Sequence, residues 1–559
     1  MPTLIWEGKD AAVQAARRVP FRLLEADAAL SYGAADAGNA IVQGDNLAAL
    51  KALLPYYKGK VRCIYADPPY NTGSAFEHYD DNVEHSTWLS LMYPRLELMR
   101  EFLAENGTIW ISIDDREYAG LKYMCDEIFG YDHFVSNISW QRTYSTRNDS
   151  KGIVNEVEHI LVYSASTDWQ PKKLPRTAEM DKNYKNPDDD YVAWTSADAF
   201  APGASTHQGM VYAIQHPFTG ELLYPPVGRC WTFGQADVLA IMNGWCKYEL
   251  KDIHDVSERA AVCGLPVEQI RDNVQALMLA DSPSEAKKQA AVIYKRGQWP
   301  KFYFTKKGKG GIRRKIYLDS VGGRPPTNFW PYNEVGHTDE AKKEILAVFE
   351  RKESFATPKP ERLLRRILYL ATEPGDIVLD AFLGSGTTAA VAQKMQRHYI
   401  GIEMGEHAVT HVVPRLRKVV DGEQGGISQA EHWQGGGGFR FYRLGEELFD
   451  EFGLIRPEVQ FRHLAAHIWF TETHTPYMGA GDSPLLGVRE GVAYYLLYNG
   501  ILGDKRPREG NVLTRQMLTL LPPFAGPRVI YGTSCRLGPA RLDDEQITFK
   551  QIPTQVAVY

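Results

Sequence analysis

IVLDAFLGSGTTAAVAQKMQRHYIGIE, residues 377 to 403, is the stretch that decides how this chain folds. An apolar run leads to Asp380, glycines 384 and 386 form a turn, a helix of small residues follows, and YIGIE makes a second strand. Strand, glycine turn, helix, strand is a βαβ unit and predicts an open α/β sheet. Glycines in such a turn let a ligand approach the backbone, and the helix N-terminus offers unpaired N–H groups.

Behind Asp380 and Phe382 the turn reads Gly384-Ser385-Gly386-Thr387-Thr388-Ala389, which satisfies a GxGxxG/A pattern, with Glu403 ending the next strand where ribose hydroxyls would lie. Alone the signal is weak, because a tight turn needing small residues for packing reads the same way. A phosphate-binding turn gains nothing from the apolar Phe382. A ligand with ribose and adenine but no phosphate, S-adenosylmethionine, suits the residue set better.

A second motif lies far away in sequence. VRCIYADPPYNTGSAF, residues 61 to 76, leaves an apolar strand through Asp67, Pro68, Pro69 and Tyr70. The plainer reading is a strand ended by prolines, which fix φ and donate no hydrogen bond. The sharper one is a clamp: the Asp67 carboxylate and the Pro68 carbonyl accept hydrogen bonds, and Tyr70 offers a stacking face. Such a clamp suits a planar ring carrying an exocyclic amine. Ligands of open α/β sheets sit at the carboxyl ends of the strands. If the strands ending at Asp67 and Asp380 are neighbours, cofactor and amine meet there.

Around these motifs the 559 residues predict two or three domains. Residues 1–35 read as an N-terminal arm and 36–165 as alternating strands and helices. Residues 166–330 lose the rhythm, gain aromatics and Gly-Pro turns, and read as an insertion with a helical, acidic middle near 250–290. Alternation resumes over 331–420, residues 421–438 (DGEQGGISQAEHWQGGGG) read as a glycine-rich linker, and 439–559 form a C-terminal region of mixed character.

Composition narrows the function classes. Neither the N-terminus nor a later segment has the apolar run of a signal peptide or membrane span, so a cytoplasmic protein is expected. Six cysteines without a CxxC pair or patterned histidines predict no metal site and no disulfide framework. Net charge is −6, but residues 141–330 carry 25 basic against 21 acidic residues, leaving −10 on the rest. Inside that insertion KRGQWPKFYFTKKGKGGIRRKIYLDSVGGR, residues 295 to 324, holds ten basic residues and one acid, interleaved with Trp299, Phe302, Tyr303, Phe304 and Tyr317. It reads either as a solvated basic hairpin or as a two-stranded ribbon presenting Lys306, Lys307, Lys309, Arg313, Arg314 and Lys315 to nucleic-acid phosphates. A loop with Arg142, Arg147 and Lys151 is a second basic candidate.

With these residues in view, the chain resembles the β group of amino-DNA methyltransferases, in which DPPY precedes FxGxG with a target recognition domain between. More narrowly it resembles modification subunits of type III restriction systems, through QGDNLAALKALL, IYADPPYNTGS, NEVEHILVYS, YPPVGRCWTF, VGHTDEAKKEI, ATPKPERLLRRIL, FLGSGTT and GGGGFRFYRL, over roughly residues 4 to 444. The resemblance implies a circularly permuted Rossmann-like methyltransferase sheet, an inserted target recognition domain and a C-terminal accessory region. It implies methyl transfer from S-adenosylmethionine to adenine N6 of a flipped base in double-stranded DNA, with cytosine N4 methylation, or a solitary adenine methyltransferase with no nuclease, as the alternatives. It places Asp45 near the cofactor's adenine, where capping the next helix is an equal and compatible role, and Lys359 and Pro360 at its methionine end. ATPKP departs here from the histidine and glutamine common in relatives. It further implies a homodimer and a helicase-nuclease partner; this chain has no GxxxxGK[ST] motif, so any ATP-driven translocation is expected on another polypeptide. A nicotinamide-dependent oxidoreductase would leave DPPY and the basic ribbon unexplained. A binding subunit with a decayed catalytic centre would not be expected to keep Asp67, Tyr70, Gly384 and Gly386.

Overall fold

The computed structural model describes residues 3–34, 36–71, 84–144, 153–349, 357–475, 477–498, 501 and 511–556. Arg147 and Lys151 lie outside them.

Seven strands of the central sheet bring the motifs together: β1 (Arg22–Gly33), β2 (Ala40–Gln43), β3 (Val61–Ala66), β4 (Leu103–Ile113), β5 (Phe134–Gln141), β6 (Val157–Ser164) and the glycine-turn strand Ile377–Asp380. Three more complete it, in the order β1, Gly438–Glu447, β2, His398–Glu403, Ile377–Asp380, β3, β4, β6, β5, Phe329–Trp330. Strands from late in the chain thus sit between β2 and β3, which is the circularly permuted arrangement. From β2 to β4 the strands are parallel. Ile41, Val42, Ile64, Ile109, Ile111, Leu379 and Ile402 are completely buried, as expected for parallel strands covered on both faces. The register sets Asp380 beside Tyr65 and Gln43 beside Glu403, so the functional loops all leave from one edge.

Four helices flank the early strands: α1 (Lys9–Arg18), α2 (Asn46–Tyr57), α3 (His85–Phe102) and α4 (Asp115–Phe129). Asp45 starts α2 by accepting the Ala48 N–H at 3.1 Å, and Asp114 starts α4 by accepting that of Arg116 at 3.0 Å.

Several expected boundaries move. Residues 1–35 are less an arm than part of the sheet, because β1 pairs along Gly438–Glu447. Segment 421–438 is not a loose linker: Ile427, Ser428 and Trp433 are buried, and the Trp433 indole donates to the Val419 carbonyl at 2.8 Å. The strand that follows buries Phe439 and Phe441 and pairs with β2, so the central sheet runs on to Glu447 rather than ending at 420. A glycine-rich stretch without periodicity gives no local sign of the contacts that pack it. Beyond it, helix Phe461–Thr473 and a four-stranded sheet, Leu485–Arg489, Val492–Leu496, Arg528–Gly532 and Ile547–Gln551, form the C-terminal region.

Residues 173–325 form a separate compact unit. Its core gathers Trp194, Trp231, Trp245, Phe302, Tyr303 and Phe304. The expected two-stranded ribbon is two strands of a three-stranded sheet, with Ile312–Tyr317 central between Phe302–Phe304 and Trp194–Asp198. The predominantly helical middle also holds the antiparallel strands Tyr248–Lys251 and Ala276–Leu279.

Candidate active site

β3 ends at Ala66 and the chain turns through Asp67, Pro68, Pro69 and Tyr70. The loop is anchored from behind: the Trp88 indole of α3 donates to the Pro69 carbonyl at 2.7 Å. Asn71, held in the left-handed region at φ 58°, donates its side-chain amide to the buried Glu117 at 2.8 Å. That carboxylate also meets His85 at 2.6 Å. The buried contact holds Asn71 in this conformation, which asparagine tolerates better than most residues.

At the loop's open side the Tyr70 hydroxyl lies 2.7 Å from Asp67 Oδ1 and 3.1 Å from Glu158 Oε2. The Lys359 ammonium donates to both Asp67 oxygens at 2.7 Å and to the Tyr70 oxygen at 2.9 Å. Arg142 closes the cluster by donating to Glu158 Oε1 at 2.9 Å. Burial alone would pull the Lys359 ammonium down, but the Asp67 and Glu158 carboxylates outweigh it and hold its pKa above the ordinary value. Burial, then the same two carboxylates, push the Tyr70 hydroxyl well above its usual range, so it stays protonated. Lys359, placed by resemblance at the cofactor's methionine end, bonds Asp67 and Tyr70 as well as lining the cleft beside Asp380 and Phe382, and Arg142, expected at a phosphate, is tied to Glu158.

The neighbouring strand brings the glycine turn alongside. Asp380 is buried, accepts the Phe382 N–H at 2.9 Å and the Thr388 hydroxyl at 2.6 Å, and its pKa is pushed up to about 7, mainly by burial. Gly384 and Gly386 take φ of 54° and 81°, a region costly for residues with a Cβ, and Gly386 caps helix Thr387–Lys394. Glu403 is buried and accepts the Gly384 N–H at 2.8 Å, so it fixes the turn as well as facing it. Asp45 pairs with Arg95 at 2.8 Å in addition to capping α2. Pro360 caps helix Glu361–Ala371. Tyr65, Asp67, Lys359, Asp380, Phe382, Ser385 and Thr387 line one narrow cleft.

Below the turn a buried ion network sets its position. Arg415 donates to the Thr387 hydroxyl at 2.8 Å and to Glu361 at 2.9 Å, and Lys394 reaches the same Glu361 at 2.8 Å. Glu361 directly follows Lys359-Pro360, so one network braces both the glycine turn and the lysine on the clamp. Sequence reading missed Arg415, Glu117 and Glu158. For Glu158 a signal existed, since in VEHILVYS it falls on the buried phase of a strand, where a charged side chain needs partners.

A DNA methylase family model matches residues 61–259 and 267–413. The chain belongs to this family. It is 32% identical over 420 residues, 73% of its length and 54% of the relative's, to a protein named probable type III restriction-modification enzyme HindVI Mod subunit, from Haemophilus influenzae. It is also 32% identical to the StyLTI Mod subunit of Salmonella typhimurium over 63% of this chain and 49% of that one. The type II methyltransferase M.EcaI of Enterobacter cloacae is 27% identical over 68% of this chain and 69% of its own. The chain thus spans about half the length of these two Mod subunits.

In the insertion, the structure corrects part of the basic ribbon. Lys315 is completely buried, with its ammonium 2.5 Å from Asp188 and 2.6 Å from Asp190, and holds the unit together instead of meeting phosphates. Arg313 pairs with Asp198 at 2.9 Å, and Arg314 donates to the Asp198 carbonyl at 3.0 Å. The aromatics expected to enter a groove are mostly core: Phe302, Tyr303 and Phe304 are buried. They fill the apolar interior beneath that sheet, an outcome that interleaving with lysines concealed. Lys306, Lys307 and Lys309 remain exposed on a tight turn, the first two at φ 49° and 57°.

Proposed function

We propose that the methylase transfers a methyl group from S-adenosylmethionine to adenine N6 in duplex DNA, as the modification and recognition subunit of a type III restriction-modification system. The observation that carries this reading is the adjacency of the strands ending at Asp67 and Asp380, which sets an amine clamp beside a glycine turn. The residues present suit the cofactor: Asp67, Asp380 and Glu403 offer carboxylates to a cationic, phosphate-free ligand, and the turn lacks side chains that would block it. When bound, S-adenosylmethionine supplies an electrophilic methyl on a sulfonium.

The chain's own residues do the rest. An exocyclic amine is a poor nucleophile because its lone pair is delocalised into the ring. Asp67 and the Pro68 carbonyl accept its hydrogens and favour a pyramidal nitrogen aimed at the cofactor. Lys359 and the Tyr70 hydroxyl hold the carboxylate in orientation. The gain lies in positioning and preorganised electrostatics rather than in a strong base. Reaching the amine requires flipping the base, at a cost of a few kcal/mol that stacking on Tyr70 partly offsets.

The test is to incubate purified protein with mixed-sequence duplex and labelled S-adenosylmethionine, then digest the DNA and identify the modified nucleoside by mass spectrometry. N6-methyladenine is expected. N4-methylcytosine would keep the mechanism and change the base, and absence of label in the protein's presence with either base would overturn the reading.

Asp380 gives a second expectation. Its carboxyl ionises near pH 7, so below that it loses the charge that attracts a sulfonium. Cofactor affinity by calorimetry should fall about threefold to tenfold from pH 8 to pH 6, and Asp380→Asn should flatten the dependence. For DNA, replacing Lys306, Lys307 and Lys309 with alanine should weaken binding similarly on all sequences and reduce the salt slope by roughly one per lost phosphate contact. An unchanged slope would remove this turn from the interface. The relatives' names, Mod subunits of restriction-modification enzymes, support a further restriction subunit; a homodimer that recruits a helicase-nuclease subunit is our proposal, checked by sedimentation with and without that partner. A cytoplasmic location follows from this role; no helix among the described residues is long and apolar enough to cross a membrane.

A further inference from the structure

We propose that Glu158 is the outlet for the proton released in the reaction, reached from Asp67 through the Tyr70 hydroxyl. The inference rests on the amine-methylation reading above.

The geometry is that of a relay. One hydroxyl, with one proton to give, lies within hydrogen-bond reach of two carboxylates, 2.7 Å from Asp67 and 3.1 Å from Glu158. Merely orienting Asp67 needs only Lys359 and the hydroxyl, and a second buried carboxylate beside them is costly unless it has a role. Glu158 is 5% exposed, and its charge is offset by Arg142 at 2.9 Å and Lys359 at 3.7 Å. Arg142 is 39% exposed at its side chain, so the far carboxylate oxygen faces a group that borders solvent.

A newly methylated amine nitrogen carries one proton too many. Its N–H bond breaks as an O–H bond forms on Asp67. Asp67 then passes that proton to the Tyr70 oxygen while the tyrosine's own proton moves to Glu158, which releases it to water beside Arg142. Asp67 regains its charge, Tyr70 ends neutral, and no other reactant is needed. The tyrosine hands the proton on without standing as a phenolate, consistent with its strongly raised pKa. The charged and titratable groups facing Glu158 are Asp67, Tyr70, Tyr65, Lys359, Arg142 and Asp114.

Without the outlet, the proton passed to Asp67 can leave only by that residue's own partly open side, where its side chain is 22% exposed, so its clearance waits on product leaving the cleft. In Glu158→Gln, rapid-quench assays with excess labelled S-adenosylmethionine and duplex should show the first methyl per site slowed far less than later ones. Later turnovers should be about tenfold slower at pH 7, with the gap closing as rising hydroxide takes the proton directly. KM for both substrates should stay within about twofold of wild type. Equal slowing of first and later turnovers with a pH-independent gap would make Glu158 a structural partner of Lys359 and overturn the relay, as would wild-type turnover in Glu158→Gln. If wild-type protein methylates no base amine, the functional reading itself fails, and the relay falls with it.

Discussion

Asp67→Ala should lower single-turnover methyl transfer by about a thousandfold, the scale of losing one preorganised contact that acts only as the reaction proceeds. The carboxylate is the acceptor that pyramidalises the amine, and no neighbour can replace it: Glu158 is the nearest other carboxylate on the cluster, and Arg142 and Tyr70 already engage it. The alanine variant also leaves the buried Lys359 ammonium with only Glu158 at 3.7 Å for charge, so some stability will be lost. Asp67→Asn separates the two effects, since it keeps shape and one acceptor oxygen. Equilibrium binding of DNA and S-adenosylmethionine should survive in Asp67→Asn while transfer collapses. Transfer within threefold of wild type in that variant would mean the clamp is misassigned.

Lys315→Met should destabilise the insertion by about 3–5 kcal/mol, because it strips the cation from two carboxylates that stay inside. Asp188 and Lys315 are completely buried, and Asp188 also accepts the Trp194 indole at 2.8 Å and the Trp299 N–H at 2.8 Å. Removing the lysine therefore unsettles the core Trp194 and the half-buried Trp299 packed against it, as well as an ion pair. Thermal unfolding followed by tryptophan fluorescence should show an early transition in this variant and none in the Lys306, Lys307, Lys309 triple mutant. If Lys315→Met instead kept wild-type stability and only weakened DNA binding, the buried-triad account would be wrong and the phosphate reading restored.

What the sequence determined by itself was what short-range chemistry encodes. Glycines 384 and 386 have to adopt positive φ where a strand turns into a helix, two prolines stiffen the exit from β3, and apolar runs of strand length between helices make an α/β sheet. Each is a property of a few consecutive residues, so each was visible without partners. The tertiary structure alone decided who meets whom. It set Ile377–Asp380 next to β3, brought Lys359 onto Asp67 and Glu158 under Tyr70, and buried Lys315 among aromatics that its local pattern had offered to DNA. A lysine on a strand looks the same in sequence whether it faces phosphates or two buried carboxylates. Its fate depends on which distant groups remove it from water, and that is a property of packing and not of the segment.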